Sequence, residues 1–152
     1  MEEKMRVLFV CLGNICRSPL AEGIAKHYAQ KLFLDIKIDS AGTSGWHNGQ
    51  KPCEGSVAIA KNHHIDISDF KSRKVSLYAD SCFDLIVGMD KANVLDLLQM
   101  GFEKSKVCKI GKFGLENADI PDPYYYKDNK GFECIYQMID TGVRNLLNYY
   151  FK

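Results

Sequence analysis

The chain has 152 residues, 46% of them hydrophobic, and 20 Lys and Arg against 19 Asp and Glu leave a formal net charge of +1. That length and apolar content suit a single domain over 1–152 with a sizeable core, and the even charge excludes a global electrostatic pull toward nucleic acid or a membrane surface. No segment approaches the ~20 apolar residues of a membrane span, and the six cysteines (Cys11, Cys16, Cys53, Cys82, Cys108 and Cys134) include no Cys-x-x-Cys pair, against a zinc site or a secreted disulfide scaffold. Reduced thiols fit a cytoplasmic protein.

In chain order, Val7-Leu8-Phe9-Val10 is an apolar run that predicts a buried strand. Cys11-Leu12-Gly13-Asn14-Ile15-Cys16-Arg17-Ser18 follows, and Pro19-Leu20-Ala21-Glu22 opens a helix predicted over 18 to about 31, with Leu20, Ile24 and Tyr28 along one face. Strand, loop and helix in that order make an anion site. A loop curling at a strand end turns successive backbone N–H groups inward, and the helix adds its own unpaired N–H groups and positive dipole end. Gly13 and Asn14 suit the positive φ angles of such a curl. Arg17 supplies a planar, permanently charged fork for two phosphate oxygens. Cys11 lies at the focus, where a helix N-terminus and an arginine favour the thiolate. Ser18 is expected to cap the helix, with Pro19 as its first residue, and its hydroxyl can also donate toward the sulfur.

Ile36-Lys37-Ile38 predicts the second strand, and the stretch from Gly42 to Pro52 is a polar loop. Residues 55–63 read as helix, 64–81 as mixed, and Phe83 to Val87 as the third strand. Asp90 suits the start of a helix ending at Gly101, with Val94, Leu97 and Leu98 inward. Lys106 to Ile110 reads as the last strand. From Gly131, the residues Phe132, Ile135, Tyr136, Ile139, Val143, Leu146, Leu147 and Tyr150 keep helical periodicity. Strands separated by helices imply a parallel α/β sheet with helices on both faces, and ligands then bind beyond the carboxyl ends of the strands, where the Cys11 loop falls.

A phosphate ester cleaved by a thiolate needs a proton for its leaving oxygen. Asp122 is the best candidate, because Pro121 and Pro123 on either side stiffen an extended backbone that presents its carboxylate. Two displacements follow. Cys11 can take the phosphoryl group as the leaving group departs, and water can then cleave the thiophosphate. Backbone N–H groups of Leu12, Gly13, Asn14, Ile15, Cys16, Arg17 and Ser18 cradle the phosphate, and no metal or other cofactor is called for.

The run Val10 to Glu22 closely resembles the signature of the low-molecular-weight protein tyrosine phosphatases. Asp39-Ser40-Ala41-Gly42-Thr43-Ser44-Gly45-Trp46, Phe83-Asp84, Met89-Asp90, Asn93, Pro121-Asp122-Pro123-Tyr124-Tyr125 and Gly131-Phe132-Glu133 fall in the family's order, so the resemblance covers nearly the whole chain. It implies a three-layer fold with a four-stranded parallel sheet, Rossmann-like and of the phosphotyrosine phosphatase I type. It also implies phosphotyrosine proteins as substrates, phosphate or other oxyanions as inhibitors in the loop, and a monomer or weak dimer. Asp122 matches the family's general acid, which protonates the leaving group and in the second step is the base that activates water, and Trp46, Tyr124 and Tyr125 match residues that line a slot for a phenyl ring, beside Leu12 and Ile15.

A related arginine-phosphatase branch typically carries threonine where this chain has Ile15 and lacks the second tyrosine, which favours phosphotyrosine here. A thioredoxin-coupled arsenate reductase of the same fold is the other alternative. It would use a cysteine relay, and the partner expected for Cys82 near Met89 is missing. Cys16 either packs the loop as a buried thiol or resolves an oxidised Cys11 as a disulfide. Phe70 stands where the family often has a histidine that supports the loop asparagine. Either His63 or His64 substitutes, or Ser40 and Ser18 alone hold Asn14. Cys53-Glu54-Gly55 also departs from the family's usual pattern. Asp90 is read either as a helix cap or as the residue that orients Arg17, and the four histidines as structural or surface residues.

Overall fold

The computed structural model describes residues 5–123 and 129–151. Strands β1 (Met5–Cys11), β2 (Ile36–Gly42), β3 (Leu85–Gly88) and β4 (Val107–Lys109) form a parallel sheet in the order β2-β1-β3-β4. Inner position explains the unbroken apolar run in β1: Val7, Leu8, Phe9 and Val10 are all fully buried because both faces of the strand are covered. Alternation then sorts the side chains. Val7, Phe9 and Cys11 join Leu20 and Ile24 of α1 (Arg17–Lys31) and Ile135, Ile139 and Val143 of α5 (Asn129–Tyr150) in the larger core. Leu8 and Val10 face the other way, onto Val75, Phe83 and Leu97.

Three helices therefore cover the Cys11 face: α1, α5 and α2 (Glu54–Asn62), the last through Ile59 and Ala60. On the opposite face lie the single turn α3 (Leu77–Asp80) and α4 (Lys91–Met100), with Leu97 buried and Val94 and Leu98 half-buried. The predicted α4 boundaries hold because both ends carry their caps. Asp90 and Asn93 exchange side-chain and backbone hydrogen bonds in a capping box, and Gly101 closes the helix in the left-handed region at φ 106°. Residues 64–81, mixed in sequence, contain only α3, whose N-cap Ser76 accepts from Ala79 N–H. On α5, Ile135, Tyr136, Ile139, Val143, Leu146 and Leu147 are buried as expected, whereas Phe132 is half-buried and Tyr150 is exposed.

Strand β2 runs four residues past the predicted Ile36–Ile38, with Asp39 to Gly42 in register beside Leu8 to Cys11. The periodicity misses this extension because its residues are polar or small. They sit at the carboxyl edge of the sheet, where Ser40 is directed to a polar network and Gly42 has no room for a side chain. A Cβ on Gly42 would lie 2.7 Å from the Leu12 carbonyl oxygen. The last strand, by contrast, is shorter than predicted, since Ile110 enters a turn of 3-10 helix (Ile110–Lys112). Among the described residues no helix is long and apolar enough to cross a membrane.

Candidate active site

Cys11 is the final residue of β1 and Arg17 the first of α1, so the loop between them lies at the carboxyl edge of the sheet. Its carbonyls are tied outward. The Cys11 carbonyl accepts from Thr43 N–H at 2.9 Å, Leu12 from Ser44 N–H at 2.9 Å, Gly13 from the Ser72 hydroxyl at 2.9 Å, Ile15 from Cys53 N–H at 2.7 Å and Cys16 from the Ser56 hydroxyl at 2.9 Å. Across a trans peptide the next N–H points opposite to the carbonyl. Fixing those oxygens in the scaffold thus aims the N–H groups of Leu12, Gly13, Asn14, Cys16 and Arg17 at the hollow above Cys11.

One of these N–H groups shows the aim directly, as Asn14 N–H donates to the Cys11 sulfur at 3.2 Å. Asn14 takes the left-handed conformation predicted for it, at φ 56°. Gly13 does not, and is not among the residues with positive φ; it is needed for closeness instead, since a Cβ there would lie 2.9 Å from the ring of His47.

Ser18 corrects the sequence reading. The helix starts at Arg17 with Cys16 in the N-cap position, so Ser18 lies inside the first turn and its hydroxyl is committed to chemistry. It accepts from Asn14 Nδ2 at 2.8 Å and lies 3.0 Å from the Cys11 sulfur. When Cys11 is a thiolate it has no proton to give, so the Ser18 hydroxyl is the donor of the 3.0 Å contact; with a thiol there, the same hydroxyl can donate to the Ala41 carbonyl at 3.4 Å. Donation from Ser18 and from Asn14 N–H stabilises negative charge on sulfur.

Asn14 is held without a histidine. Its Nδ2 also donates to Ser40 Oγ at 2.9 Å, its Oδ1 accepts from the backbone N–H of Arg73 at 3.0 Å, and Ser40 donates onward to Glu22 Oε1 at 2.6 Å. Ser40 and Ser18 act as expected, joined by Arg73, and neither His63 nor His64 substitutes. His63 instead contacts Glu133 at 3.1 Å and stacks on Tyr136 with ring centroids 3.9 Å apart, joining α2 to α5. Glu22 is a buried carboxylate at the far end of a hydrogen-bonded chain that reaches Cys11. The sequence reading took it only as part of a helix.

Arg17 is buried, and its Nη1 donates to Asp90 Oδ2 at 2.6 Å and to the Ile120 carbonyl at 3.0 Å. Asp90 thus does both jobs left open for it, capping α4 through Oδ1 and orienting Arg17 through Oδ2. Burial opposes the guanidinium charge, but Cys11, Asp90 and Asp122 around it outweigh that and raise the Arg17 pKa above its ordinary value. Asp122 Oδ2 lies 3.8 Å from Arg17 Nη2.

A cavity of about 270 Å³ opens over the loop. Cys11 and Arg17 form its floor, Leu12, Ile15 and Trp46 its apolar wall, and Asp122 its rim. Trp46 is 76% exposed, standing at the mouth with its ring free to cover an incoming group. His47 also lines the cavity, with Nδ1 held 2.9 Å from Gln50 Oε1, so it is a site residue that its isolation in sequence concealed. Tyr124 and Tyr125 lie outside the described residues. Among the described residues no group of three or more His, Cys, Asp and Glu is arranged to hold a metal ion.

Cys16 lies beside Cys53, whose N–H donates to the neighbouring Ile15 carbonyl. The neighbouring Cys53, with burial, drives the Cys16 pKa up, and Cys16 and Ser56 beside it pull Cys53 down to about 7. Cys82 is exposed on the turn after α3, bonded to the Ala79 carbonyl.

Comparison with known proteins agrees with this geometry. Residues 6–151 match the family model described as low molecular weight phosphotyrosine protein phosphatase. The low molecular weight protein-tyrosine-phosphatase YfkJ of Bacillus subtilis is 44% identical over 147 residues, 93% of this chain and 92% of that protein. Its crystal structure superposes with a TM-score of 0.90 at 41% identity, covering 97% of this chain and 95% of that one. An arginine phosphatase from Drosophila superposes equally, with a TM-score of 0.90 at 33% identity over 97% of this chain and 99% of its own.

Proposed function

The chain belongs to the low-molecular-weight phosphotyrosine protein phosphatase family, and we propose that it hydrolyses phosphotyrosine in proteins through a cysteinyl phosphate formed on Cys11. The observation that carries this reading is the convergence on one cavity of the Cys11 sulfur, the buried Arg17 fork and the Asp122 carboxylate, under a loop whose N–H groups face inward. A phosphate in the hollow meets five inward N–H groups and Arg17, which match the charge on its non-bridging oxygens. Cys11 attacks phosphorus while Asp122 protonates the phenolic oxygen. Water then attacks phosphorus as Asp122 takes its proton, the S–P bond breaks, and Cys11 leaves as thiolate into the hydrogen bonds from Asn14 and Ser18. Phosphate and related oxyanions occupy the same hollow as inhibitors.

Ile15 and Trp46 in the cavity wall favour an aryl leaving group, and Tyr124 and Tyr125 are proposed to extend that wall. Six free thiols favour the cytoplasm as its compartment, and a single domain acting as a monomer or weak dimer is enough for this chemistry. Cys82, exposed outside the cavity, gives an arsenate relay no support. Turnover of p-nitrophenyl phosphate by Cys11→Ser is expected to fall by at least about 10⁴-fold, and undiminished turnover would sink the mechanism. Kinetics against phosphotyrosine, phosphoserine and phosphoarginine peptides test the substrate, with a preference for phosphoarginine overturning it.

A further inference from the structure

Two segments on one side of the cavity are one-sided in charge. Residues 45–51 carry Trp46 and His47 at the cavity and end at Lys51, and residues 70–74 carry Lys71, Arg73 and Lys74; neither segment holds an aspartate or a glutamate. They lie side by side. Gly49 N–H donates to the Ser72 carbonyl at 2.8 Å and Ser72 N–H to the Gln50 carbonyl at 2.8 Å, while the Ser72 hydroxyl donates to the Gly13 carbonyl at 2.9 Å. A parallel bridge joins Lys74 to Gly42, and Lys74 Cδ lies 3.6 Å from where a Cβ on Gly45 would be, one residue before Trp46. Of the four cations only Arg73 is matched, at 3.2 Å to Asp39 and 2.9 Å to Asp80. Lys51, Lys71 and Lys74 are exposed, and none of them has an ion-pair partner among the described residues; Glu54 and Asp69, the nearest acids in sequence, are exposed as well and do not pair with them. The other side of the mouth differs, since Asp119 is matched by Lys109 at 2.8 Å and Asp122 approaches Arg17. A chain with a net charge of only +1 thus gathers three unmatched cations beside its cavity. They repel one another and add nothing to the core, and phosphoryl transfer draws its cation from Arg17.

We propose that this surface selects phosphotyrosine flanked by acidic residues, with Lys51, Lys71 and Lys74 attracting carboxylates one to three places from the phosphorylated tyrosine. The inference rests on the phosphotyrosine reading of the site and names which phosphotyrosine sequences it takes. An extended peptide advances about 3.3 Å per residue. With its phosphate on the cavity floor, the neighbouring residues therefore emerge past Trp46 and onto the segments that carry the three lysines.

Lysine suits this task. Its ammonium is a point charge on a flexible stem, so it attracts a carboxylate without demanding one geometry and tolerates different acidic sequences. Such rim charges act on encounter and on KM and leave the chemical step alone. Discrimination follows from repulsion as much as from attraction, because a peptide with lysines in the same places meets like charge. Exposed charges are screened over about 8 Å at physiological salt, so the selection must weaken as salt is added.

The test measures kcat and KM of the full chain on phosphotyrosine peptides that carry three glutamates before the phosphotyrosine, three after it, three lysines in either place, or alanines alone. At low salt at least one glutamate peptide is expected to exceed the alanine peptide by about fivefold or more in kcat/KM, through KM, with the lysine peptides below it; in about 0.3 M salt the differences should shrink to within about twofold. Combining Lys51→Gln, Lys71→Gln and Lys74→Gln should abolish the preference while p-nitrophenyl phosphate turnover stays within about twofold of the parent. Combining Lys51→Glu, Lys71→Glu and Lys74→Glu should turn the preference toward the lysine peptides. Equal kcat/KM for glutamate and alanine peptides in the parent overturns the proposal, as does a preference that the triple glutamine variant keeps. Lysine-dependent binding of phosphatidylserine vesicles with no difference among the peptides also overturns it, and assigns the surface to a membrane instead. Failure of the phosphotyrosine reading shows up separately, as turnover of phosphoarginine peptides with none of any phosphotyrosine peptide.

Discussion

Between Cys11 and Ser18 the chain is pinned by donors from the 43–56 stretch and Ser72, while at the mouth of the same cavity Trp46 stands 76% exposed and Asp122 approaches Arg17 at 3.8 Å. Floor and rim meet different parts of a substrate. The floor meets a phosphate, whose charge and geometry never vary, and fixed dipoles aimed at it need no reorganisation during reaction. The rim meets the leaving group, whose shape varies and whose proton must move, so its groups stand nearer to solvent. Damage to the floor should therefore affect every substrate alike, and damage to the rim should depend on the leaving group.

Arg17→Ala breaks the floor most severely short of removing the nucleophile. It takes away the one fixed cation that the described residues place in the hollow and leaves Asp90 facing the phosphate, so kcat/KM is expected to fall by roughly 10⁴-fold, within the range for a transition-state arginine. Inhibition by inorganic phosphate should weaken with it. A loss confined to some substrates would contradict the division between floor and rim.

Asp122→Ala comes next, with kcat expected to drop by roughly 10²–10³-fold, as for loss of a general acid. The comparison sharpens when the leaving group is changed. An aryl phosphate whose phenol is acidic leaves without help and should lose less in its first step than phenyl phosphate, while phosphate inhibition stays near the parent value. Equal losses across a leaving-group series, measured by single-turnover kinetics, would place Asp122 in the floor instead.

The two regions also differed in how much of them could be read from sequence. Strand β1, the Asp90 and Gly101 ends of α4 and the pairing of Cys11 with Arg17 were legible because each depends on residues close together in the chain. The outward anchors of the loop were not, since Ser72, Cys53 and Ser56 reach it from distant segments and only the fold brings them there. Ser18 was misassigned because Ser-Pro is a good helix start, and the tertiary contact with Asn14 and Cys11 overrode that local preference. Gly13 was given a positive φ when its need is space beside His47. Asp122 stood out only because its flanking prolines came with the Cys11 loop and the family resemblance, Trp46 was reached through that resemblance alone, His47 carries no local signal, and Tyr124 and Tyr125 lie beyond the described residues.

Trp46→Ala tests the outer wall. The exposed indole makes no hydrogen bond that the floor depends on, so kcat should change little while KM for phosphotyrosine peptides rises by up to about tenfold, the equivalent of one aromatic contact. An alkyl phosphate with no ring to cover should show less of the effect. A matching rise for inorganic phosphate as inhibitor would mean that Trp46 supports the floor.

The smallest effect is expected where the rim segment is fastened to the sheet. Asp119 Oδ1 accepts from Lys109 Nζ at 2.8 Å and from Lys91 N–H at 3.1 Å, just before Ile120, whose N–H bonds to Met89 and whose carbonyl accepts from Arg17. The Lys109 hydrogen bond, with Lys91 beside it, holds the Asp119 pKa below its ordinary 3.8. A carboxylate so lowered binds its proton more readily in the unfolded chain. Its contribution to stability is therefore complete above 3.8 and disappears as pH falls through the lower folded value. Asp119 is half exposed, so solvent screening limits the contribution to under about 1 kcal/mol. Thermal unfolding should accordingly show Asp119→Asn slightly less stable than the parent at pH 7, with the gap closing on acidification below the ordinary carboxylate range. A gap that widens in acid would show that Lys109 and Lys91 do not hold this end of the rim through charge.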